Sequence, residues 1–328
     1  MNPFHYTTLA EEPDALDELG PEVRPLAGGT DLIPRLKLGL EQPAVLVDLK
    51  TGELPVGVQR ADGAWRIGAL TTLRAVQDHH GLRATATALT QAVSEAATPQ
   101  LRNRATLGGN ILQRPRCWYY RDPDLSCWLD GGDDCPARHG RNEHHAVFGT
   151  DRPCVAVHPS DPAVALVALG GLVTLRSPIG ERTVPLSGLL HPPTETRRIE
   201  HGVSDREVVT ALTVPVVDRR RSSYVKAMDR ATWAFALVSV AAVATLDDDG
   251  IASDVCLVAG GVANTPLRLG PAEAAVEGRH PVDAAERAAE AADDGATALS
   301  RNGYKLPILR ELTRRAVLSL LHPDTAAG

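Results

Sequence analysis

Two glycine-containing stretches decide how this chain is interpreted: Ala27-Gly28-Gly29-Thr30-Asp31-Leu32 and Thr106-Leu107-Gly108-Gly109-Asn110-Ile111. Each is expected to follow the end of a strand or helix, and each offers consecutive backbone N–H groups with no Cβ beside them. Such a loop lets the backbone approach a diphosphate closely and point donors at it. Two such loops, each with a small polar residue beside its glycines, predict a dinucleotide held between two segments of the chain.

Regular structure is expected on both sides of these loops. A strand over 24–26 leads into the first loop, and a helix over 31–38 begins directly after it. A long helix, broken at Gly81, is predicted over 72–98. Residues 114–153 are rich in Arg, Asp, Gly, His and Pro and have no period of 2 or 3.6. A stretch of this length inside a compact domain is unusual unless it is functional or cross-linked.

The sequence pattern changes near residues 217–222. Beyond them, alternating segments joined by a turn at 247–250 predict an antiparallel sheet. Amphipathic segments over 283–292 and 306–321 predict helices that cover this sheet. The expected fold class is therefore α+β.

Composition excludes several classes of function. The chain has 328 residues, of which 43% are hydrophobic and 23% charged, as in ordinary globular proteins. The 34 basic and 41 acidic residues give a net charge of −7, and no basic stripe with interleaved aromatic residues occurs, so no nucleic-acid partner is expected. No segment predicts a membrane span or a secretory signal. A cytoplasmic location without membrane insertion is expected, and export of the folded chain on a partner's signal is the alternative.

Four of the five cysteines follow the second loop: Cys117, Cys127, Cys135 and Cys154. Three interpretations are open. Two disulfides require an oxidising compartment, and zinc sites usually show paired CxxC or HxxxH knuckles, which are absent. An iron–sulfur cluster accepts four irregularly spaced cysteines, and a nearby histidine could replace one of them as a ligand. Cys256 is expected to be an ordinary core residue of a strand.

The sequence resembles a known family over nearly its whole length. Pro25-Leu26-Ala27-Gly28-Gly29-Thr30-Asp31-Leu32 is similar to the first FAD loop of the flavoprotein (medium) subunits of molybdenum hydroxylases. Residues 100–111 resemble the second FAD loop, and His158-Pro159-Ser160-Asp161 is a third match. Further matches lie in the C-terminal part, at Tyr224-Val225-Lys226 with Trp233-Ala234-Phe235-Ala236, and at 260–266.

This resemblance implies a domain organisation. Residues 1–217 would form a two-lobed FAD-binding domain of the PCMH type, with lobes at 1–57 and 58–217 and a cysteine-rich insert at 114–154. Residues 218–328 would form a C-terminal flavoprotein domain, a small antiparallel sheet covered by helices.

The resemblance also implies FAD-binding residues: Pro25, Leu26, Ala27, Gly28, Gly29, Thr30, Asp31, Leu32, Thr106, Gly109, Asn110, Ile111, Asp161 and Lys226. The two loops would hold the diphosphate from opposite sides, and Ile111 would pack near the isoalloxazine. Asp161 would accept a hydrogen bond from the ribose or adenine part. Lys226 would approach the flavin, where a cation favours the reduced anionic form; the alternative for Lys226 is an ordinary surface lysine. No catalytic residue is expected in this chain.

The cysteine-rich insert resembles the subgroup of the family that carries an extra [4Fe–4S] cluster, especially the flavoprotein subunit of periplasmic aldehyde oxidoreductase. The resemblance implies that Cys117, Cys127, Cys135 and Cys154 ligate this cluster.

The implied function is electron transfer within an oxidoreductase complex. Electrons would pass from [2Fe–2S] clusters of a small partner subunit to FAD and on to an external acceptor. The substrate, expected to be an aldehyde, would be oxidised on a large partner subunit that holds molybdopterin cytosine dinucleotide or a related molybdenum cofactor. The expected assembly is a heterotrimer, or a dimer of it. Alternatives are a complex of the xanthine dehydrogenase or 4-hydroxybenzoyl-CoA reductase type, a stand-alone FAD-dependent reductase, and a zinc-stapled assembly subunit.

Overall fold

The computed structural model describes residues 2–230 and 234–322. Its strands form three sheets against which helices pack, so the expected α+β class is confirmed. Trp233, part of one C-terminal motif, lies outside the described residues.

A small parallel sheet opens the chain. Its strands are His5–Thr8 (β1), Val23–Leu26 (β2) and Val45–Asp48 (β3), in the order β1-β3-β2, and helix α1 (Leu32–Leu38) connects β2 to β3. Pro25 is tolerated in β2 because this strand lies at the edge of the sheet. The first glycine loop therefore follows the carboxyl end of β2, the position where ligands bind in sheets of this kind.

The second sheet is antiparallel and has the order β4-β5-β8-β6-β7. Its strands are β4 (Val58–Ala61), β5 (Ala64–Gly68), β6 (Leu172–Ser177), β7 (Gly180–Pro185) and β8 (Val208–Pro215). The helices of this part are α2 (Leu73–Asp78), α3 (His80–Thr85), α4 (Thr87–Glu95), α5 (Pro99–Arg102), α6 (Leu107–Ile111), α7 (Asp161–Ala168) and α8 (Leu186–Leu189). Buried side chains from this sheet and from α4, α6 and α7 form the main core.

The segment 72–98 is largely helical as predicted, but it forms three helices, α2, α3 and α4, and the break predicted at Gly81 is wrong. At the first break, His79 has an extended backbone, and its ring Nδ1 accepts a hydrogen bond from the N–H of Leu82. The second break is at Ala86. The predicted breaker, Gly81, lies inside α3, where a Cβ would stand 2.4 Å from the Trp65 ring. A histidine cap, rather than the glycine, therefore ends the helix.

The third sheet contains β9 (Arg220–Ala227), β10 (Val238–Leu246), β11 (Ala252–Gly260) and β12 (Leu267–Arg268), in the antiparallel order β12-β11-β10-β9. Helices α9 (Gly270–Val276), α10 (Pro281–Ala291) and α11 (Lys305–Leu318) follow it. Val240 and Ala242 share a core with these helices, whereas Ala241 and Val243 belong to the main core. Both faces of β10 are thus covered, which explains its nearly continuous apolar sequence. Within 2–230 and 234–322, no helix combines the length and apolar character that a membrane crossing needs.

The insert, residues 114–154, lies between α6 and α7. The regular structure assigned to it consists of two short 3-10 turns, Trp128–Asp130 and Pro136–Arg138. It has a small core of its own, which includes Tyr120 and Trp128. The Val147 N–H donates to the Val262 carbonyl at 2.9 Å, so the end of the insert is fixed to the C-terminal part of the chain.

Candidate functional site

The first glycine loop offers unused backbone donors. Gly29 has φ +76°, a left-handed conformation that favours glycine. Within the described part of the chain, the N–H groups of Gly28, Gly29, Thr30 and Asp31 donate to no other residue. These four residues line a cavity of about 180 Å³, the loop cavity, which the second glycine stretch also lines. Four adjacent free donors beside a cavity form the kind of backbone arrangement that binds phosphate.

The second glycine stretch is built differently. It opens α6, and the N–H groups of Leu107 and Gly108 donate to the carbonyls of Thr71 and Ala69 at 2.9 Å. The Gly109 N–H donates to Thr106 Oγ1 at 3.2 Å, a side-chain contact that a ligand oxygen can replace. The two loops therefore do not contribute equal sets of free donors.

The two loops touch each other through Gly28. A Cβ on this residue would lie 2.3 Å from the Arg104 carbonyl oxygen and 3.1 Å from the Ala105 Cα. The Arg104 Nε also donates to the Gly28 carbonyl at 3.3 Å. Glycine is required at 28 because the segment before the second loop occupies the space of a side chain.

The side chain of Asp31 lies among three arginines from two segments, α1 and the insert. Its carboxylate is 3.2 Å from Arg35 Nε, and 2.9 Å from both Arg116 Nη1 and Arg121 Nη2. It also accepts the backbone N–H of Arg114 at 3.1 Å. Burial by itself raises the pKa of Asp31, but the charges of Arg116, Arg35 and Arg121 outweigh it and leave the pKa below its ordinary value. Asp31 thus ties the first loop to the base of the insert.

Asp31→Asn is expected to lower the free energy of unfolding by about 1–3 kcal/mol at neutral pH, because buried charge-assisted hydrogen bonds are lost. The pKa of folded Asp31 lies below its ordinary value, so its stabilisation is complete at neutral pH and is lost as the pH falls through that lowered pKa. Urea unfolding of both proteins should therefore show a difference that narrows below about pH 4. A difference that stays constant in acid would contradict this role.

Two further cavities continue from the loop cavity. The middle cavity, about 80 Å³, shares Thr30 with it and is also lined by Asn110 and Asp161. The insert cavity, about 330 Å³, shares Asp161, Arg116 and Phe235 with the middle cavity. At their junction the Arg116 guanidinium lies 5.1 Å from the centre of the Phe235 ring. Through these shared residues the loop, middle and insert cavities adjoin one another in that order, and this series is called the line of cavities below.

Most of the predicted FAD-binding residues line the loop or middle cavity. Three line none of the three cavities: Leu26 lies in a small core, Ile111 is fully buried in the main core, and the side chain of Lys226 is 0% exposed. The placement of Ile111 gives no support to the prediction that it packs beside the isoalloxazine.

Lys226 forms a buried ion pair with Asp161. Its Nζ donates to Asp161 Oδ2 at 2.8 Å and to the carbonyls of Glu95 and Ala234 at 3.1 and 3.0 Å. The Tyr224 hydroxyl donates to Asp161 Oδ1 at 2.7 Å. Burial also raises the pKa of the Glu95 carboxyl to about 7. The alternative that Lys226 is an ordinary surface lysine is therefore wrong. Tyr224 and Glu95 belong to the same buried group as Lys226 and Asp161, and no sequence motif marked Glu95.

The four insert cysteines belong to one small core. Cys127, Cys135 and Cys154 are buried in it, and Cys117 packs against it. A hydrogen bond between the thiols of Cys135 and Cys154 lowers the pKa of the former and raises that of the latter. All five cysteines of the chain are described and free, so the disulfide interpretation finds no support. Cys256 lies in β11 and packs against the main core, as predicted.

Cys117 contacts a histidine. Its Sγ lies 3.1 Å from His145 Nε2. Burial raises the pKa of the Cys117 thiol to about 12 and lowers that of His145 to about 4. Without a metal, the pair is a neutral thiol beside a neutral imidazole. The sequence alone does not distinguish His145 from the other histidines near the insert, because nothing local marks which one reaches a cysteine.

Comparison with known families agrees with this geometry. The family described as the FAD-binding domain in molybdopterin dehydrogenase matches residues 3–217, and the C-terminal domain of the CO dehydrogenase flavoprotein matches residues 223–320. The chain belongs to this family. It is a mixed helix-and-sheet FAD subunit of the molybdenum hydroxylase type, with the expected antiparallel sheet in its C-terminal part. The exact limits of lobes, domains and insert stay predictions.

Individual relatives of this FAD subunit cover most of its length. It is 38% identical over 256 residues to the aldehyde oxidoreductase FAD-binding subunit PaoB of Escherichia coli K12, covering 77% of this chain and 79% of that protein. It is 28% identical over 261 residues to the carbon monoxide dehydrogenase medium chain of Afipia carboxidovorans, covering 79% and 74%. A structure of carbon monoxide dehydrogenase from Hydrogenophaga pseudoflava superposes with a TM-score of 0.74 at 25% identity, covering 98% of this chain and 99% of that one.

The residues of the FAD subunit fit the group that its family binds. The free N–H groups of 28–31 suit the diphosphate, and the Gly109 N–H faces only a displaceable side-chain acceptor. The line of three cavities suits an extended dinucleotide, and Asp161 offers it a carboxylate already held by Tyr224 and Lys226.

Proposed function

We propose that this chain is the electron-transfer flavoprotein subunit of a molybdenum-containing complex that oxidises an aldehyde. The observation that carries the proposal is the line of cavities that begins at the four free donors of the first glycine loop and ends beside the cysteine insert. The 38% identity to an aldehyde oxidoreductase FAD-binding subunit supports the substrate class.

FAD, when bound, supplies the exchange between one-electron and two-electron transfer. The chain's own residues bind and orient it. The loop of 28–31 holds negative charge through backbone donors, and Asp31 fixes that loop by its arginine contacts. Arg116 packs over the Phe235 ring at the junction of the middle and insert cavities, where both side chains can contact the bound group.

Within the proposed complex, this subunit does not bind the substrate carbon. A small partner subunit with [2Fe–2S] clusters delivers electrons, and a large partner subunit with the molybdenum cofactor oxidises the aldehyde. The assembly is a heterotrimer, or a dimer of it. This division of labour agrees with the family, in which this chain supplies the FAD domain.

We propose further that Cys117, Cys127, Cys135 and Cys154 ligate a [4Fe–4S] cluster. The four thiols share one small core, and Cys127 and Cys135 are close enough to Cys117 to affect its pKa. Among the described residues, no three His, Cys, Asp or Glu side chains surround a position for a single metal ion. What favours a [4Fe–4S] cluster over zinc is the resemblance of the cysteine-rich insert to the subgroup that carries an extra cluster.

Cys135→Ser is expected to remove this cluster, because a cluster of this type needs four ligands. The matched control, Cys256→Ser, changes a half-buried cysteine outside the insert and should keep it. The measurement is the visible spectrum of anaerobically purified protein before and after dithionite, together with iron content. Wild type and control should show flavin bands over a broad brown shoulder, and both should bleach. Wild-type protein that shows flavin bands without the brown shoulder, and contains zinc in place of iron, would overturn the cluster assignment.

The aldehyde oxidation is tested on the complex isolated from its native host through a tag on this chain. Two further subunits, one containing molybdenum and one containing [2Fe–2S] clusters, should accompany it, and an aldehyde added without oxygen should bleach the flavin. Bleaching by a purine or an aromatic CoA thioester, but not by aldehydes, would contradict the substrate class. Turnover by the isolated chain alone would instead identify a stand-alone reductase.

A further inference from the structure

The C-terminal part of the chain holds His145 against Cys117, one of the proposed cluster ligands. His145 is 2% exposed, and its ring Nε2 lies 3.1 Å from Cys117 Sγ. The His145 carbonyl accepts hydrogen bonds from Lys305 Nζ at 2.9 Å and from Asn302 Nδ2 at 3.1 Å. Because Lys305 starts α11, the helix holds the backbone of His145 while the ring points at the cysteine.

The state of Cys117 decides which ring nitrogen of His145 must carry a proton. Trp118 packs edge-on against the imidazole with ring centres 5.8 Å apart, and Nδ1 is buried. A metal-bound cysteine is a thiolate and can only accept a hydrogen bond. The contact therefore requires a proton on Nε2.

We propose that His145 is a positioning residue that donates a hydrogen bond from Nε2 to the Cys117 thiolate and so raises the reduction potential of the cluster. The inference rests on the proposed [4Fe–4S] cluster. Reduction adds negative charge to a cluster and its thiolates, so a donor to a ligating sulfur stabilises the reduced state more than the oxidised one. Since α11 fixes His145, the C-terminal part of the chain thereby sets a property of the insert.

The hydrogen bond is tested directly by pulsed EPR on dithionite-reduced full-length protein labelled with ¹⁵N-histidine. A weak nitrogen coupling to the cluster is expected in wild type. It should disappear in His145→Leu and persist in His144→Leu, a matched control because His144 also packs edge-on against Trp118. A strong coupling, typical of a ligating nitrogen, would make His145 a ligand and overturn the proposal. The absence of coupling in iron-replete wild type would overturn it too.

The effect on potential is tested by EPR-monitored redox titration of the same proteins. His145→Leu should shift the cluster to a more negative potential, His145→Gln should restore part of the shift by supplying an amide donor, and His144→Leu should match wild type. An unchanged potential in iron-replete His145→Leu would contradict the proposal. If His145→Leu does not retain iron, the nitrogen coupling in wild type and the reduction potential of His145→Gln test the proposal instead. Wild-type protein without iron would instead show failure of the cluster assignment itself.

Discussion

Gly28→Ala is expected to weaken FAD binding about a hundred-fold, which corresponds to roughly 3 kcal/mol. The new Cβ would stand 2.3 Å from the Arg104 carbonyl oxygen. Because the clashing atoms belong to the backbone, no flexible side chain can move aside to relieve the contact. Overpacking of this kind typically costs about 1–3 kcal/mol, and more where backbone must shift. The shift would displace the free N–H groups of 28–31 from the loop cavity.

The measurement is the dissociation constant for FAD, obtained by fluorescence titration of apoprotein, with circular dichroism to verify folding. Gly188→Ala is the matched control, since a Cβ there meets nothing within 4 Å and the residue lies in the short helix α8. It should bind FAD as wild type does. A folded Gly28→Ala protein with wild-type affinity would show that the loop contact does not shape the FAD site.

Local sequence patterns predicted the elements whose signals are complete within a few residues. The alternating segments and the turn at 247–250 predicted the C-terminal sheet, and a helix was predicted directly after the first glycine loop, where α1 lies. Such signals succeed because a glycine requirement or an alternating pattern acts on its own segment. The break in the helical segment 72–98 was misplaced for the opposite reason, since the cap by His79 depends on a ring conformation that composition does not reveal.

The site itself depended on contacts between distant segments. Asp31 forms ion pairs with Arg116 and Arg121, which lie in the insert. Its role in fixing the first glycine loop was therefore not visible from the loop sequence. The unequal supply of free N–H groups also escaped prediction, because the donors of Leu107 and Gly108 are taken by carbonyls near β5 and α2. Resemblance supplied the cofactor, whereas only the three-dimensional contacts separate residues that line a cavity from those that support it.

Replacing one member of the Asp161–Lys226 pair is expected to destabilise the protein by about 3–5 kcal/mol, because the remaining charge would be buried without a counter-charge. The side chains are 6% and 0% exposed. Lys226→Met would leave the carboxylate with the Tyr224 hydroxyl, and Asp161→Asn would leave the ammonium with the carbonyls of Glu95 and Ala234. Urea unfolding of both single variants and of the double variant measures the effect.

The double variant distinguishes two roles for Lys226. If the lysine acts through Asp161, as its three acceptors indicate, both single variants weaken FAD binding to a similar degree and the double variant costs clearly less than their sum. Residues in one network typically deviate from additivity by about 0.5–3 kcal/mol. If Lys226 instead contacts the flavin directly, Lys226→Met would weaken FAD binding far more than Asp161→Asn, with additive effects. Because Lys226 lines none of the three cavities whereas Asp161 lines two, we expect the non-additive result.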